Sequence, residues 1–427
     1  MREVVVVGGA RTPNIRFNTL FKEIPAQELG RIALTEALYR AGVKPDQLDE
    51  VIFGCIGNPP EAANVGRVIA LLAQVPERVP AFTVARNCAS GIESIMEGCY
   101  RIATGDADFI AAGGVESMSN IPLFFKRSAQ DKFTALGMSK GLGKKLGAMA
   151  SFRPSDFGPI IGLIQGLTDY NTGINMGQTA ETLAREFGIT RKEQDELAML
   201  SHNRAEAATK RGRLQKEMAF VPLPPKFTQW AKEDNGIRNG QNMEALGKLK
   251  PAFDRRYGTV TAGNASQITD GGCCLILASA EKAKAEGLKV MGRIKGFTTV
   301  GLDPARMGLG PAFAVPKLLK KAGMSYRDVD LYEINEAFAA QFIGCEKALD
   351  SEAWCQANLG SPRFGQVDRA ITNVNGSGIA LGHPVGQTAN RLVLTLLHEL
   401  EERGLGMGMA SLCVGGGQGA AMLVERR

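Results

Sequence analysis

The chain is poor in the residues that build metal centres. Its 427 residues include only three histidines, and its eight cysteines (Cys55, Cys88, Cys99, Cys273, Cys274, Cys345, Cys355 and Cys413) form no CxxC pair. No metal site is therefore expected. Long apolar runs are also lacking. The longest, near Phe157–Leu167, falls well short of the roughly 20 residues that span a bilayer. Charge of one sign is scarce too. Fifty basic against 44 acidic side chains leave a net +6, too mild to imply nucleic acid, and no DNA- or RNA-binding module signature is present. The run from Glu3 to Val7 reads as a strand, so no signal or transit peptide is expected. A reducing, cytoplasmic setting with free thiols fits these features.

Glycine, by contrast, is abundant at 51 residues, in short clusters without a period. That pattern suits tight strand-to-helix turns. Val4–Val7, Glu50–Phe53, Phe82–Val84, Phe109–Ala112, Leu275–Leu277, Leu331–Ile334, Ala370–Val374 and Gly408–Leu412 read as strands. Pro25–Tyr39, Ser90–Ala103 and a segment near Gln178–Arg211 read as helices. The alternation predicts an α/β fold with a largely buried sheet.

Three pairs of landmarks suggest an internal duplication. Ala41-Gly42 and Leu48-Asp49 before one strand match Ala322-Gly323 and Val329-Asp330 before another. Ala89-Ser90-Gly91-Ile92 matches Gly376-Ser377-Gly378-Ile379, and Gly113-Gly114 matches Gly415-Gly416. The division expected is a first half over 1–118 and 251–280, an insertion over 119–250, and a second half over 281–427.

Four motifs carry chemistry. Cys88, in Arg86-Asn87-Cys88-Ala89-Ser90-Gly91, follows a strand and opens a helix, where the helix dipole is expected to lower a thiol pKa. An inert buried cysteine is the plainer reading. His383, in Gly382-His383-Pro384, sits in a glycine-dense loop suited to acid/base work, whereas His202 and His398 read as ordinary helix residues. Cys413 opens Cys413-Val414-Gly415-Gly416-Gly417-Gln418-Gly419, whose backbone N–H groups suit an oxyanion or phosphate. No complete dinucleotide fingerprint accompanies these glycines. Asn335, in Asn335-Glu336-Ala337-Phe338, suits either a water-holding amide or a helix N-cap.

Together these motifs resemble the thiolase family over nearly the whole chain. The stretches Ala10-Arg11-Thr12-Pro13, Gly114-Val115-Glu116-Ser117-Met118-Ser119 and Gly258–Ser266 support the likeness. The resemblance implies a duplicated fold layered αβαβα, with the insertion covering the substrate site, and an acetyl-CoA acyltransferase. Cys88 would be the nucleophile, with His383 and Cys413 as acid/base partners. His383 with a water on Asn335 would form one oxyanion site, and the N–H groups of Cys88 and Gly415 the other. Coenzyme A would be a substrate, met by Ser266 and Arg238, with no permanently bound cofactor. A homodimer or homotetramer is implied as well.

Many short-chain biosynthetic thiolases carry a histidine where Asn175 precedes Met176-Gly177. That difference, the long insertion and the segment around Asp350–Phe364 point toward the β subunits of fatty-acid oxidation complexes, although some of those carry histidine in place of Asn335. Thiolytic cleavage of 3-ketoacyl-CoA is the resulting expectation. The alternatives are acetoacetyl-CoA synthesis, a decarboxylating condensing enzyme and a non-catalytic lipid carrier. Basic and apolar residues interleave over 124–153, which suits a β-oxidation partner subunit, an anionic membrane surface, or a lid over the coenzyme A pocket.

Overall fold

A computed structural model describes residues 2–426. Its main sheet has ten strands, nine along one path and Ile15–Arg16 paired beside Thr269–Ser279. One end of the path runs Val4–Arg11, Thr269–Ser279, Phe109–Ser117, Glu50–Gly54, Ala81–Val84, and the other runs Gly292–Gly301, Gln418–Glu425, Met407–Val414, Leu331–Ile334. In each half the first three strands pair antiparallel and the next pair is parallel. Within the sheet, among the described residues, the halves pair at two positions, Val5–Arg293 and Val6–Gly292.

Side-chain alternation along the strands sorts the core into layers. Val5 and Val7 pack under the helices Ala26–Ala41 and Val65–Leu72. Val4 and Val6 face inward, with Ala410, Leu412 and Met422 of the second half, onto the helices Ser90–Thr104 and Thr388–Arg403. Met409 and Leu423 face outward onto the helices Gly310–Ala322 and Ala339–Leu349. The result is five layers, αβαβα. Cys273 and Cys274 fall in different layers, as strand neighbours must.

The first duplicated landmark has one physical role in both halves. Gly42 and Gly323 end equivalent helices with φ of 68° and 67°, a left-handed cap that favours glycine. Asp49 then accepts the N–H groups of Asp108 and Phe109, at 2.7 and 2.9 Å. Asp330 accepts those of Gly406 and Met407, at 3.0 and 2.7 Å. Each aspartate ties the start of one strand to the start of its neighbour. The third landmark is not equivalent: Gly113-Gly114 lies inside a strand, whereas Gly415-Gly416 forms the turn after Met407–Val414.

Two other expectations need correction. Ala370–Val374 makes one isolated bridge, Thr372 to Tyr332. Asn373 turns to φ 51° and pairs its side-chain amide with the backbone of Ile334, replacing a strand ladder. The segment near Gln178–Arg211 is two helices, Met176–Glu186 and Arg191–Lys210, broken at Gly188 with φ 57°. The strand Gly292–Gly301 was missed because three glycines and a half-buried face blur its alternation.

Candidate active site

Cys88 is the only one of the eight cysteines that is not fully buried. It lies in the turn after Ala81–Val84, ahead of the helix that begins at Ser90. Asn87 holds the turn at φ 44°, and its amide donates to the Gly415 carbonyl at 2.8 Å. One side chain thus fastens the Cys88 turn to the loop after Cys413.

The Cys88 thiol lies between two cavities. The smaller, of about 150 Å³, is lined by His383, Cys413, Ser266, Met176 and Phe338 among others. The larger, of about 480 Å³, is walled by Ile56, Ile121, Phe124, Leu163 and Leu167, with Gly415 and Gly416 at the thiol. The position ahead of a helix led to the expectation of a lowered thiol pKa. Burial instead raises it, while the N–H groups of Gly415 and of Cys88 itself pull it back down. A neighbouring base is therefore needed to form the thiolate.

His383 is suited to that task. Its Nδ1 lies 2.6 Å from the Thr388 hydroxyl, and that hydroxyl donates its proton to the Pro384 carbonyl at 2.9 Å. The hydroxyl therefore accepts from Nδ1–H, which leaves a lone pair on Nε2. Nε2 is buried and has no protein partner. Burial, with Arg391 nearby, lowers the imidazole pKa to about 3, so the ring is neutral at pH 7.

Cys413 is buried at the end of Met407–Val414, and burial together with Cys88 raises its pKa well above the usual thiol value. A thiol held protonated can deliver a proton. Asn335 follows Leu331–Ile334 and is fully buried, yet both atoms of its amide lack protein partners. It does not cap the next helix, where Phe338 holds that position. Two unpartnered buried amide atoms suit a water or a ligand oxygen. Asn175 does cap a helix, accepting from Gly177 N–H at 2.9 Å.

Ser266 lines the smaller cavity, and its N–H donates to Ala337 at 2.8 Å. Arg238 is exposed, away from the walls of both cavities, and its backbone N–H donates to His202 Nδ1 at 3.1 Å. The sequence reading missed Thr388 and gave Asn87 and Glu116 no role. The signals were a hydroxyl five residues after His383 and a lone acid inside the buried run Phe109–Ser117.

The family model of the thiolase N-terminal domain matches residues 4–281, and that of the thiolase C-terminal domain matches 288–426. The chain is 37 % identical over 424 residues to a 3-ketoacyl-CoA thiolase of Pectobacterium atrosepticum, covering 99 % of this chain and 96 % of the relative. It is 39 % identical over 429 residues to an acetyl-CoA acetyltransferase of Cupriavidus necator, with full coverage of both. Among solved structures, the Bacillus anthracis acetyl-CoA acetyltransferase superposes with a TM-score of 0.87 at 39 % identity, covering 100 % of this chain and 99 % of that one. Human mitochondrial 3-ketoacyl-CoA thiolase in complex with CoA gives 0.86 at 35 % identity, covering 100 % and 98 %.

Proposed function

The chain belongs to the thiolase family of acyltransferases, and from that premise we propose that it cleaves 3-ketoacyl-CoA with coenzyme A through an acyl-Cys88 intermediate. The observation that carries this reading is the half-buried Cys88 thiol between two cavities, with His383 and Cys413 lining one of them.

In the proposed sequence, His383 Nε2 takes the Cys88 proton and the sulfur attacks the 3-keto carbon. The C2–C3 bond breaks, and Cys413 protonates the departing acetyl-CoA carbanion. The coenzyme A thiol then gives its proton to the Cys413 thiolate and attacks the acyl thioester, and Cys88 departs and takes back the proton held on His383, leaving an acyl-CoA two carbons shorter and all three groups as they began. The N–H groups of Cys88 and Gly415 are the donors for one oxyanion. His383 and a water on Asn335 are the donors for the other. Each such donor contributes about 10²–10³ in rate.

The apolar walls of the larger cavity favour medium or long acyl chains. The names of the relatives favour both this degradative reading and acetoacetyl-CoA formation, which runs the same steps in reverse. A thiolysis assay over several chain lengths separates the two. Wild type should cleave longer 3-ketoacyl-CoA and Cys88→Ala should not; a wild type inactive at every length contradicts the proposal.

The strand Ala81–Val84 ends the sheet with one edge unpaired and all four residues half-buried. An open edge of this kind suits pairing with a second copy. Eight free thiols fit a reducing cytoplasmic setting. No helix among the described residues is long and apolar enough to cross a membrane.

The pair Leu123–Phe124 and Ile160–Ile161 roots a helical hairpin, Arg127–Met138 and Leu142–Ala150. Over 126–153 it holds seven basic residues against Asp131 alone, a net +6 equal to that of the entire chain. Leu142, Leu146 and Met149, one helical stripe, are 76, 57 and 58 % exposed. An apolar stripe beside localised positive charge suits an anionic lipid surface. At low salt the protein should sediment with vesicles containing phosphatidylserine and not with neutral ones. Failure to bind the anionic vesicles contradicts membrane docking.

A further inference from the structure

Cys88 comes from one half of the duplicated fold, while His383 and Cys413 come from the other. Their spacing is thus set where the halves meet, beyond anything either loop specifies alone. At that seam the segment 384–390 lies against the first half with almost no clearance. A Cβ on Gly386 would lie 2.6 Å from the Val115 carbonyl oxygen and 2.9 Å from that of Gly54. A Cβ on Gly114 would lie 2.1 Å from the Gly386 oxygen, and one on Gly91 would lie 2.2 Å from Asn390 Oδ1. Asn390 also donates to the Ala112 carbonyl, at 3.3 Å.

One carboxylate spans this seam. Glu116, 1 % exposed at the end of Phe109–Ser117, accepts the Gly386 N–H on Oε2 at 2.9 Å. It accepts the Gly57 N–H on Oε1 at 2.7 Å and the Ile56 N–H on Oε2 at 3.3 Å. The Cys55 thiol lies 3.6 Å from Oε1. Gly386 is three residues after His383 and two before Thr388, which fixes the imidazole. Ile56 and Gly57 line the large cavity beside Cys88.

We propose that Glu116 is a positioning residue, whose carboxylate clamps the His383 loop of one half to the Cys88 cavity wall of the other. Oε2 accepts from both sides of the seam, from Gly386 and Ile56, and Oε1 accepts from Gly57. An amide offers one acceptor and one donor, so Glu116→Gln sets its NH₂ either against the Gly57 N–H or against the Gly386 and Ile56 N–H groups that bridge the seam. Glu116 hydrogen-bonds to neither the thiol nor the imidazole; its charge alone raises the Cys88 pKa, so losing that charge would speed alkylation, and a slowing must come through the register of the two loops. The inference rests on the proposed pairing of Cys88 with His383.

A double-mutant cycle on Cys88 alkylation by iodoacetamide tests it without relying on thiolase turnover. The rate at pH 7.5 would be read from the Cys88 peptide mass in wild type, Glu116→Gln, His383→Ala and the double variant. Glu116→Gln should slow alkylation about tenfold and lower kcat about as much, with KM for coenzyme A within about threefold, and far-ultraviolet dichroism unchanged. In the His383→Ala background the same substitution should change alkylation less than about twofold, because a residue acting through His383 has nothing left to position. If Glu116→Gln fails to fold, Glu116→Asp, which keeps the charge and shortens the reach, takes its place in the cycle. Equal slowing in both backgrounds, or no slowing in either, overturns the inference. Wild-type thiolysis measured alongside keeps the two failures apart: an inactive wild type contradicts the proposed function, and an active wild type with an additive cycle contradicts the clamp alone.

Discussion

The seam between the halves and the hairpin over 123–161 hold their shapes by opposite means. At the seam, backbone and side-chain atoms fill the space that a single methyl group would need at Gly91, Gly114 and Gly386. In the hairpin, Gly137, Gly143 and Gly147 have nothing within 4 Å of such a group, and the helix Leu142–Ala150 buries none of its residues. Aromatic rings hold the hairpin to itself: Phe133 lies 5.2 Å from Phe125 and 4.8 Å from Phe152. The groups around Cys88 are thus located by close packing, whereas the element over the larger cavity can shift without disturbing them.

Paired substitutions sharpen the contrast. Gly91→Ala places a methyl 2.2 Å from Asn390 Oδ1 and 2.8 Å from its backbone nitrogen. It should destabilise by about 1–3 kcal/mol and depress turnover in the fraction that remains folded. Gly147→Ala, in open space within a helix, should stabilise by about 0.5–1 kcal/mol and leave activity unchanged. Urea melts of both variants beside wild type check this. Equal effects would remove the distinction.

A smaller effect concerns acid. Burial lowers the pKa of His398 to about 4, against about 6.5 in the unfolded chain. Below pH 6.5 the unfolded state therefore takes up a proton that the folded state refuses. The associated stability is intact above pH 6.5 and is lost as pH falls toward 4, by up to about 1.4 kcal/mol per pH unit. Glu333, raised to about 8 by burial, opposes this trend, so the total slope mixes signs. His398→Asn isolates the histidine: its stability should fall less between pH 6.5 and 5 than that of wild type. Parallel curves would contradict the assignment.

Legibility in the sequence followed a similar division. The Ala-Gly and Asp landmarks were readable because cap and strand tie need the same residue types in both halves. The match of Gly113-Gly114 to Gly415-Gly416 misled because glycine serves both a close approach inside a strand and a turn beyond one. Cys88, His383, Cys413 and Asn335 stood out by their glycine-rich settings. Thr388 and Glu116 did not, since their importance lies in partners 5 and 270 residues away, at His383 and Gly386. The helix-dipole argument for Cys88 failed for a related reason: the burial that raises its pKa comes from the surrounding fold, which the local sequence does not contain.

The account stands most directly on the identity of the acylated residue. Wild type would be mixed with a 3-ketoacyl-CoA of medium chain length without free coenzyme A, quenched in acid, digested and read by mass spectrometry. The account predicts an acyl group two carbons shorter than the substrate, on the peptide containing Cys88. An unmodified Cys88 peptide, or an acyl group on the Cys413 peptide, would contradict it.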